Sequence, residues 1–326
     1  MLSIFSPSNF ASFNIAAEEY ILRSFPQDVF LLYINEASII VGKHQNTLGE
    51  INQDWVILHQ IPVVRRLTGG GSVFHDPGNL NFSFLMHETA EITRSFERYT
   101  RPVLEVLQDL GVDAKLEGRN DLTINGMKFS GNAKTHIYGK TLQHGTILYS
   151  SKMGDLSAAL KVKPFKFSDK AVKSIRARVT NVSDHLPNPL PLQDFVALIR
   201  KKVHSVYPQI KDYEFSAEDL KAINDLMDNK YNTWNWNFGK SPRYNMHHEL
   251  RSKAGIIEFF LQVDKGIIQE ARIFGDFFSS RDIHELESSL QGVQHKREEV
   301  AEVLSRMDYC SFFGDLELEE ILQAMF

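Results

Sequence analysis

The chain predicts an α+β fold, on three observations. Strand-like segments come in pairs joined by turn dipeptides, helical segments interrupt them at irregular intervals, and no strand–helix alternation runs through the sequence as a wound parallel sheet requires. The first helical pattern is "NIAAEEYILRSF", with Ile15, Ala16, Tyr20, Ile21 and Leu22 on an apolar side and Glu18 and Glu19 read as its polar side. Two apolar runs follow, "VFLLYI" and "SIIVG", separated by the polar turn "NEA". A third run, "IPVVRRL", leads into three glycines, and "LNFSFLM" leaves them with the alternation of a half-buried strand. "SFERYTRPVLEVLQDLGV" reads as a helix stopped at Gly111. Asn125-Gly126 and Gly139 then mark hairpin turns.

Prolines between 187 and 191 place a surface connection before another helix, and Gly239 and Pro242 close the strand-like "TWNW". Beyond this the pattern changes to two alternating strands, "GIIEFFLQV" and "GIIQEARIF", joined through Asp264-Lys265-Gly266, and then to the helical "DIHELESSLQG" and "KREEVAEVLSRM". A boundary near residue 247 therefore divides the chain into a large domain, 1–246, and a small α+β C-terminal domain, 247–326.

Composition narrows the function. The chain has 326 residues, 43% of them hydrophobic and 24% charged, which is a globular profile and too long for one ordinary core. A net charge of -5 argues against gripping nucleic acid. No apolar run is long enough to span a membrane, so a cytoplasmic protein is expected. The single cysteine, Cys310, excludes an internal disulfide and reads as a buried structural thiol. Residues 161–178 carry seven Lys or Arg against one Asp, which fits either a solvated face or an electropositive lip for a polyanion.

The informative stretch is "RRLTGGGSVFHDPGNLNFSF", residues 65–84. Three glycines let several peptide N–H groups converge on one anion, and the flanking arginines add fixed positive charge. The spacing matches neither a Walker loop nor G-x-G-x-x-G at the head of a helix. Strand leads to glycine turn and back to strand, so the anion would rest on a sheet hairpin.

That stretch, together with "GRNDLTINGMKFSGNAKTHIYGKTLQHGTIL", closely resembles the lipoate-protein ligases of the lipoate ligase A type. "NIAAEEYIL", "VGKHQNTLGEIN", "KSIRARVTNV" and "WNWNFGKSP" continue the resemblance along essentially the whole chain. It implies a catalytic domain with the fold shared by biotin and lipoate ligases, mixed sheets with flanking helices, and a small accessory domain. It also implies ATP and lipoate as substrates, Mg²⁺ on the phosphates, and a two-step reaction through lipoyl-AMP. The acceptors would be apo lipoyl domains of 2-oxoacid dehydrogenase complexes or the glycine-cleavage H protein.

Carried over residue by residue, the resemblance places Lys128 between lipoyl carbonyl and α-phosphate, contacting both ATP and lipoate. Arg65, Gly71, Ser72, Val73 and Phe74 would line the nucleotide. Gly69, Gly70, Asp121 and His144 are further candidates, Asp121 also for the metal. His75 and Asp76, adjacent on a strand, read as structural. Leu67, Val73, Phe74 and Phe82 are available for the apolar arm of lipoate, bordered by residues 42–46. In the 161–178 stretch, Lys161, Lys163 and Lys173 suit an acidic acceptor surface. The alternatives are an octanoyl or lipoyl transferase, a non-catalytic binding protein, and a biotin ligase. Cys310 is badly placed for a thioester route, and the biotin loop rich in Gly and Arg is missing.

Overall fold

Burial of the apolar runs named above produces two compact units, each with its own core. The computed structural model describes residues 1–88, 95–160, 179–188, 190–239, 246–253, 255–264, 266–314 and 316–326. One unit comprises residues 1–40, 50–64 and 73–233, and the other 41–49, 65–72 and 234–326. The basic stretch 161–178 lies outside the described residues.

The first unit is built on a mixed sheet of eight strands. In chain order they are β1 (Leu2–Phe5), β2 (Val29–Ile34), β6 (Asn79–Met86), β7 (Ala114–Glu117), β8 (Asp121–Ile124), β9 (Met127–Ile137), β10 (Lys140–Leu148) and β11 (Lys211–Asp212). Across the sheet the order is β11-β1-β2-β6-β10-β9-β8-β7, with β1 parallel to β2 and β11 and the rest antiparallel. A second sheet sets β3 (Ser38–Val41) between β4 (Val63–Arg65) and β5 (Val73–His75). Fold class and mixed sheets are as the sequence predicts.

The hairpin turns follow from two dipeptides with positive φ. Asn125 and Gly126 have φ of 52° and 73°, and Tyr138 and Gly139 have 54° and 72°. That double left-handed geometry suits a tight turn between antiparallel strands. The turns set the register of β9 against β10 and start that of β8 against β9, which slips between Leu122 and Thr123.

Expectations are corrected at several points. β6 is buried along its whole length instead of half-buried, because it is an inner strand between β2 and β10, with both faces covered. "TWNW" is not a strand; Trp234–Asn237 form a short helix, whose last carbonyls accept hydrogen bonds from a distant arginine. Glu18 and Glu19, in the helix Ala11–Ser24, are both fully buried. Glu19 accepts from Tyr138 at 3.0 Å, Lys230 at 2.6 Å and Tyr231, and pairs with Arg23 at 2.5 Å. Burial alone would raise its pKa, but Lys230, Tyr231 and Arg23 together bring it below the ordinary carboxylate value.

In the second unit β12 (Met246–Ser252), β13 (Gly255–Asp264) and β14 (Ile267–Gly275) form a meander packed against the helices Ile283–Leu290, Arg297–Arg306 and Leu318–Gln323. The sequence reading found β13 and β14 but not β12, whose polar "HHELRS" is half exposed. Cys310 is exposed, against the expected buried thiol, because it opens the short helix Cys310–Phe313 while Phe312 and Phe313 take the core positions. No helix among the described residues is long and apolar enough to cross a membrane.

Lys134, on β9, is nearly buried; its ammonium donates to Ser95 O at 2.6 Å and lies 5.2 Å from the Phe96 ring centroid. Desolvation lowers its pKa to about 8. The unfolded chain keeps that proton up to roughly pH 10. Between these values the unfolded state binds more protons, so Lys134 makes stability rise with pH over that window. Lys134→Met is expected to flatten the rise, removing on the order of 1–3 kcal/mol of pH dependence, as measured by urea unfolding at about pH 7.5 and about pH 9.5.

Candidate functional site

The site candidates fall into two groups. Arg65 and residues 69–72 belong to the second unit, and Val73, Phe74, Asp121, Lys128 and His144 to the first.

Arg65 is 1% exposed. Its guanidinium makes six hydrogen bonds: Nε to Trp236 O, Nη1 to Gly42 O, Lys43 O and Gln45 O, and Nη2 to Thr47 Oγ1 and Asn237 O, at 2.6–3.2 Å. The Thr47 hydroxyl in turn donates to Asn237 O at 2.6 Å. The Arg65 backbone N–H donates to Asn237 Oδ1 at 2.9 Å and its carbonyl accepts from Trp236 Nε1 at 2.9 Å. A guanidinium has five N–H groups, so all are committed to protein oxygens. The expected direct contact between Arg65 and nucleotide therefore meets a side chain with no donor to spare in this arrangement. Among the described residues Arg65 has no carboxylate partner, and burial, then its neighbour Arg66, lowers its pKa to about 10.

Arg66 wraps the glycine turn instead. Its Nη2 donates to Gly69 O at 2.6 Å and Gly71 O at 2.9 Å, and its Nε to Thr68 Oγ1 at 3.0 Å. Peptide planes are trans, so the Gly70 and Ser72 N–H groups point the opposite way from the carbonyls that Arg66 holds. The glycines answer different demands. Gly70 has φ of 89°, a Cβ on Gly69 would run into Phe277 O, and Gly71 has open space where a side chain would stand. Ser72 Oγ donates to Gln45 Oε1 at 2.9 Å, and the same oxygen accepts the Gly42 N–H at 2.8 Å, fastening the turn to residues 42–45.

In the first unit Phe74 is buried, with Trp55 packed edge-on at 5.9 Å, and Val73 is half-buried. Of the residues considered for an apolar slot, Phe82 belongs to the main core. Asp76 closes its own turn, accepting from Gly78 N at 2.9 Å and Lys152 N at 2.7 Å. His75 Nδ1 meets Asn35 Nδ2 at 2.9 Å.

Lys128 and Asp121 are brought together: Nζ lies 2.8 Å from Asp121 Oδ1, with both side chains about 40% exposed. Lys128 O also accepts from Thr180 N at 2.9 Å. His144 is held elsewhere on the sheet by Glu18, both of whose carboxylate oxygens lie 3.0 Å from its Nδ1. Ser83 Oγ and Tyr33 OH also donate to Glu18, at 2.5 and 3.2 Å. Placing Glu18 on the polar side of an amphipathic helix hid it; a signal in the sequence is its lack of a basic neighbour at helical spacing. No cluster of three or more His, Cys, Asp or Glu suited to a metal exists among the described residues.

The first unit thus carries a lysine–aspartate pair on a mixed sheet and the second a glycine turn wrapped by a buried arginine, in an α+β protein. Residues 11–204 match the lipoyl protein ligase A/B catalytic domain, and residues 241–325 the bacterial lipoate protein ligase C-terminus. The chain belongs to the lipoyl protein ligase A/B family. It is 41% identical over 314 residues to lipoate–protein ligase 1 of Staphylococcus aureus, covering 96% of this chain and 95% of that one. Among solved structures it is similar to P. falciparum LipL1 in complex with lipoate, with 26% identity, a TM-score of 0.80 and coverage of 99% and 98% of the two chains. It is also similar to a lipoate-protein ligase A bound with ATP, with 26% identity, a TM-score of 0.61, and coverage of 73% of this chain and 99% of that one.

Arg65→Lys keeps the charge but has three donors for six acceptors, so buried carbonyls are left unmet. Urea unfolding is expected to show a loss of about 2–4 kcal/mol. An unchanged midpoint would mean the guanidinium holds nothing together.

Proposed function

We propose that this chain is an ATP-dependent lipoate-protein ligase: it activates lipoate to lipoyl-AMP and transfers the lipoyl group to a lysine of an acceptor protein. The observation that carries the reading is the pair of nearly buried arginines at the glycine turn, Arg65 solvated only by neutral oxygens. A buried cation of this kind favours a bound anion over empty solvent.

In the first step a lipoate carboxylate oxygen bonds to the α-phosphorus while the bond to pyrophosphate breaks. In the second, the acceptor's ε-amine attacks the acyl carbon, AMP leaves with the electron pair of the broken bond, and the amine proton goes to solvent. Neither step needs a covalent enzyme nucleophile, so positioning and charge neutralisation supply the catalysis. Lys128 takes the central role, its ammonium following negative charge from carboxylate to phosphoryl oxygen. The Gly70 and Ser72 amides, with Gly69 and Gly71, receive the phosphates, Val73 and Phe74 border the nucleotide, and Arg65 contributes indirectly, by holding residues 42–47, to which Ser72 is fastened. His144, fixed by Glu18, is kept as a further candidate on the same sheet.

Mg²⁺ would arrive chiefly as a phosphate-bound ion, for which one nearby carboxylate suffices. Asp121 is the candidate carboxylate, and an ion bound there would compete with its pair to Lys128. The acceptors we propose are apo lipoyl domains of 2-oxoacid dehydrogenase complexes or the H protein, in the cytoplasm where ATP is at hand. The family matches, over 11–204 and 241–325, support a catalytic part followed by an accessory part, and we place the boundary near residue 246. A cysteine-dependent transferase has no suitable nucleophile: the sole cysteine, Cys310, is exposed on a short helix of the second unit.

Purified protein with ATP and lipoate is expected to release pyrophosphate, and with an apo lipoyl domain to transfer the lipoyl group. A transferase or a simple binder would release none. Lys128→Ala is expected to cut lipoyl-AMP formation by at least about 100-fold with an unchanged circular dichroism spectrum; a folded variant that adenylates normally would remove Lys128 from its role.

A further inference from the structure

We infer that Asp121 and Gly131 together form a seat for the Lys128 ammonium, so that Lys128 waits on a protein carboxylate and exchanges it for the substrate's. This rests on the role proposed for Lys128 and adds two positioning residues to it.

The seat is written into strand register. Asp121 on β8 lies directly across from Gly131 on β9, so the two share one face of the sheet. The register then slips between Leu122 and Thr123: Leu122 pairs with Ser130 and Thr123 with Lys128, leaving Phe129 as the extra residue. Bulges of this kind re-aim neighbouring side chains. Here the Lys128 side chain runs back over Gly131 to reach Asp121 Oδ1 at 2.8 Å.

Gly131 is needed for space. Its φ is not in the left-handed region, so backbone freedom is not what it supplies. A Cβ at this position would stand 2.9 Å from Lys128 Nζ and 3.0 Å from Cε, where the lysine stem now lies. Its own N–H donates to Thr146 Oγ1 on β10 at 3.3 Å, which pins the seat from the other side. The Asp121 end is held by Asn120 and Asn132: Asn132 N and Nδ2 both donate to Asn120 O at 3.0 Å, and Asn120 Nδ2 donates back to Asn132 O.

The exposure of the pair fits an exchangeable contact. At 39% and 40% side-chain exposure, Lys128 and Asp121 form a weak, water-screened pair that an incoming carboxylate can replace. A fully buried pair would resist that exchange. Asp121 thus fixes the place of the ammonium before substrates arrive and competes with them for it, which ties two measurable effects to one carboxylate.

The test measures lipoate binding without ATP by calorimetry and lipoyl-AMP formation in single turnover, for wild type, Asp121→Asn, Gly131→Ala, Lys128→Met and the Asp121→Asn/Lys128→Met double variant. Asp121→Asn is expected to bind lipoate as tightly as wild type or several-fold more tightly, yet to adenylate on the order of 10- to 100-fold more slowly. Gly131→Ala is expected to fold and to lose adenylation to a similar degree. Raising Mg²⁺ is expected not to restore Asp121→Asn, and its effect on lipoate binding is expected to vanish when Lys128 is already methionine. Recovery with Mg²⁺, weaker lipoate binding by Asp121→Asn, or a persisting binding change in the double variant would overturn the seat, as would a normal rate in folded Gly131→Ala. Failure of the wild-type protein to make lipoyl-AMP would instead sink the proposed function.

Discussion

Taking the Arg65 guanidinium out of water is the constraint on which the second unit depends. An unpaired cation in a protein interior is costly unless every N–H finds an oxygen. The oxygens here come from residues 42–47 and 236–237, which are far apart in sequence and have no strong reason of their own to adopt fixed conformations. Meeting the charge draws them together around the glycine turn. It also explains why "TWNW", with a composition suited to a strand, closes into a helical turn whose carbonyls point at Arg65.

Neighbouring arginines with different duties follow from the alternation of a strand. Arg65 and Arg66 project to opposite sides, so one braces the loops behind the turn and the other gathers the turn's own carbonyls. Both guanidinium groups are thereby held by neutral oxygens close to the turn. An anion site made this way relies on backbone amides and buried cations, not on a helix N-terminus.

The first unit handles charge differently. Glu18 and Glu19 are adjacent on one helix, yet both are buried, one against His144, Ser83 and Tyr33 and the other against Lys230, Tyr231, Tyr138 and Arg23. Each carboxylate is surrounded by donors, which is what makes the burial tolerable. Lys128 by contrast stands half exposed on a rigid strand, with a short carboxylate beside it and a bare glycine beneath. Residues on strands hold a reacting group more accurately than residues on loops, and chemistry without a covalent intermediate depends on that accuracy.

The sequence by itself determined the fold class, most of the strands, the hairpin turns at Asn125-Gly126 and Tyr138-Gly139, and the family, because local periodicity and the glycine and lysine motifs are properties of contiguous residues. It also put Asp121 and Lys128 on the two sides of one hairpin turn, but their pairing came only with the strand register. Only the tertiary structure decided which arginine is committed to protein oxygens, that Glu18 and Glu19 lie inside, that Cys310 lies outside, and that β6 is covered on both faces. Those outcomes are set by partners as far as 212 residues away or by the neighbouring strands, and hydrogen-bond satisfaction across such separations leaves no periodic trace in the chain.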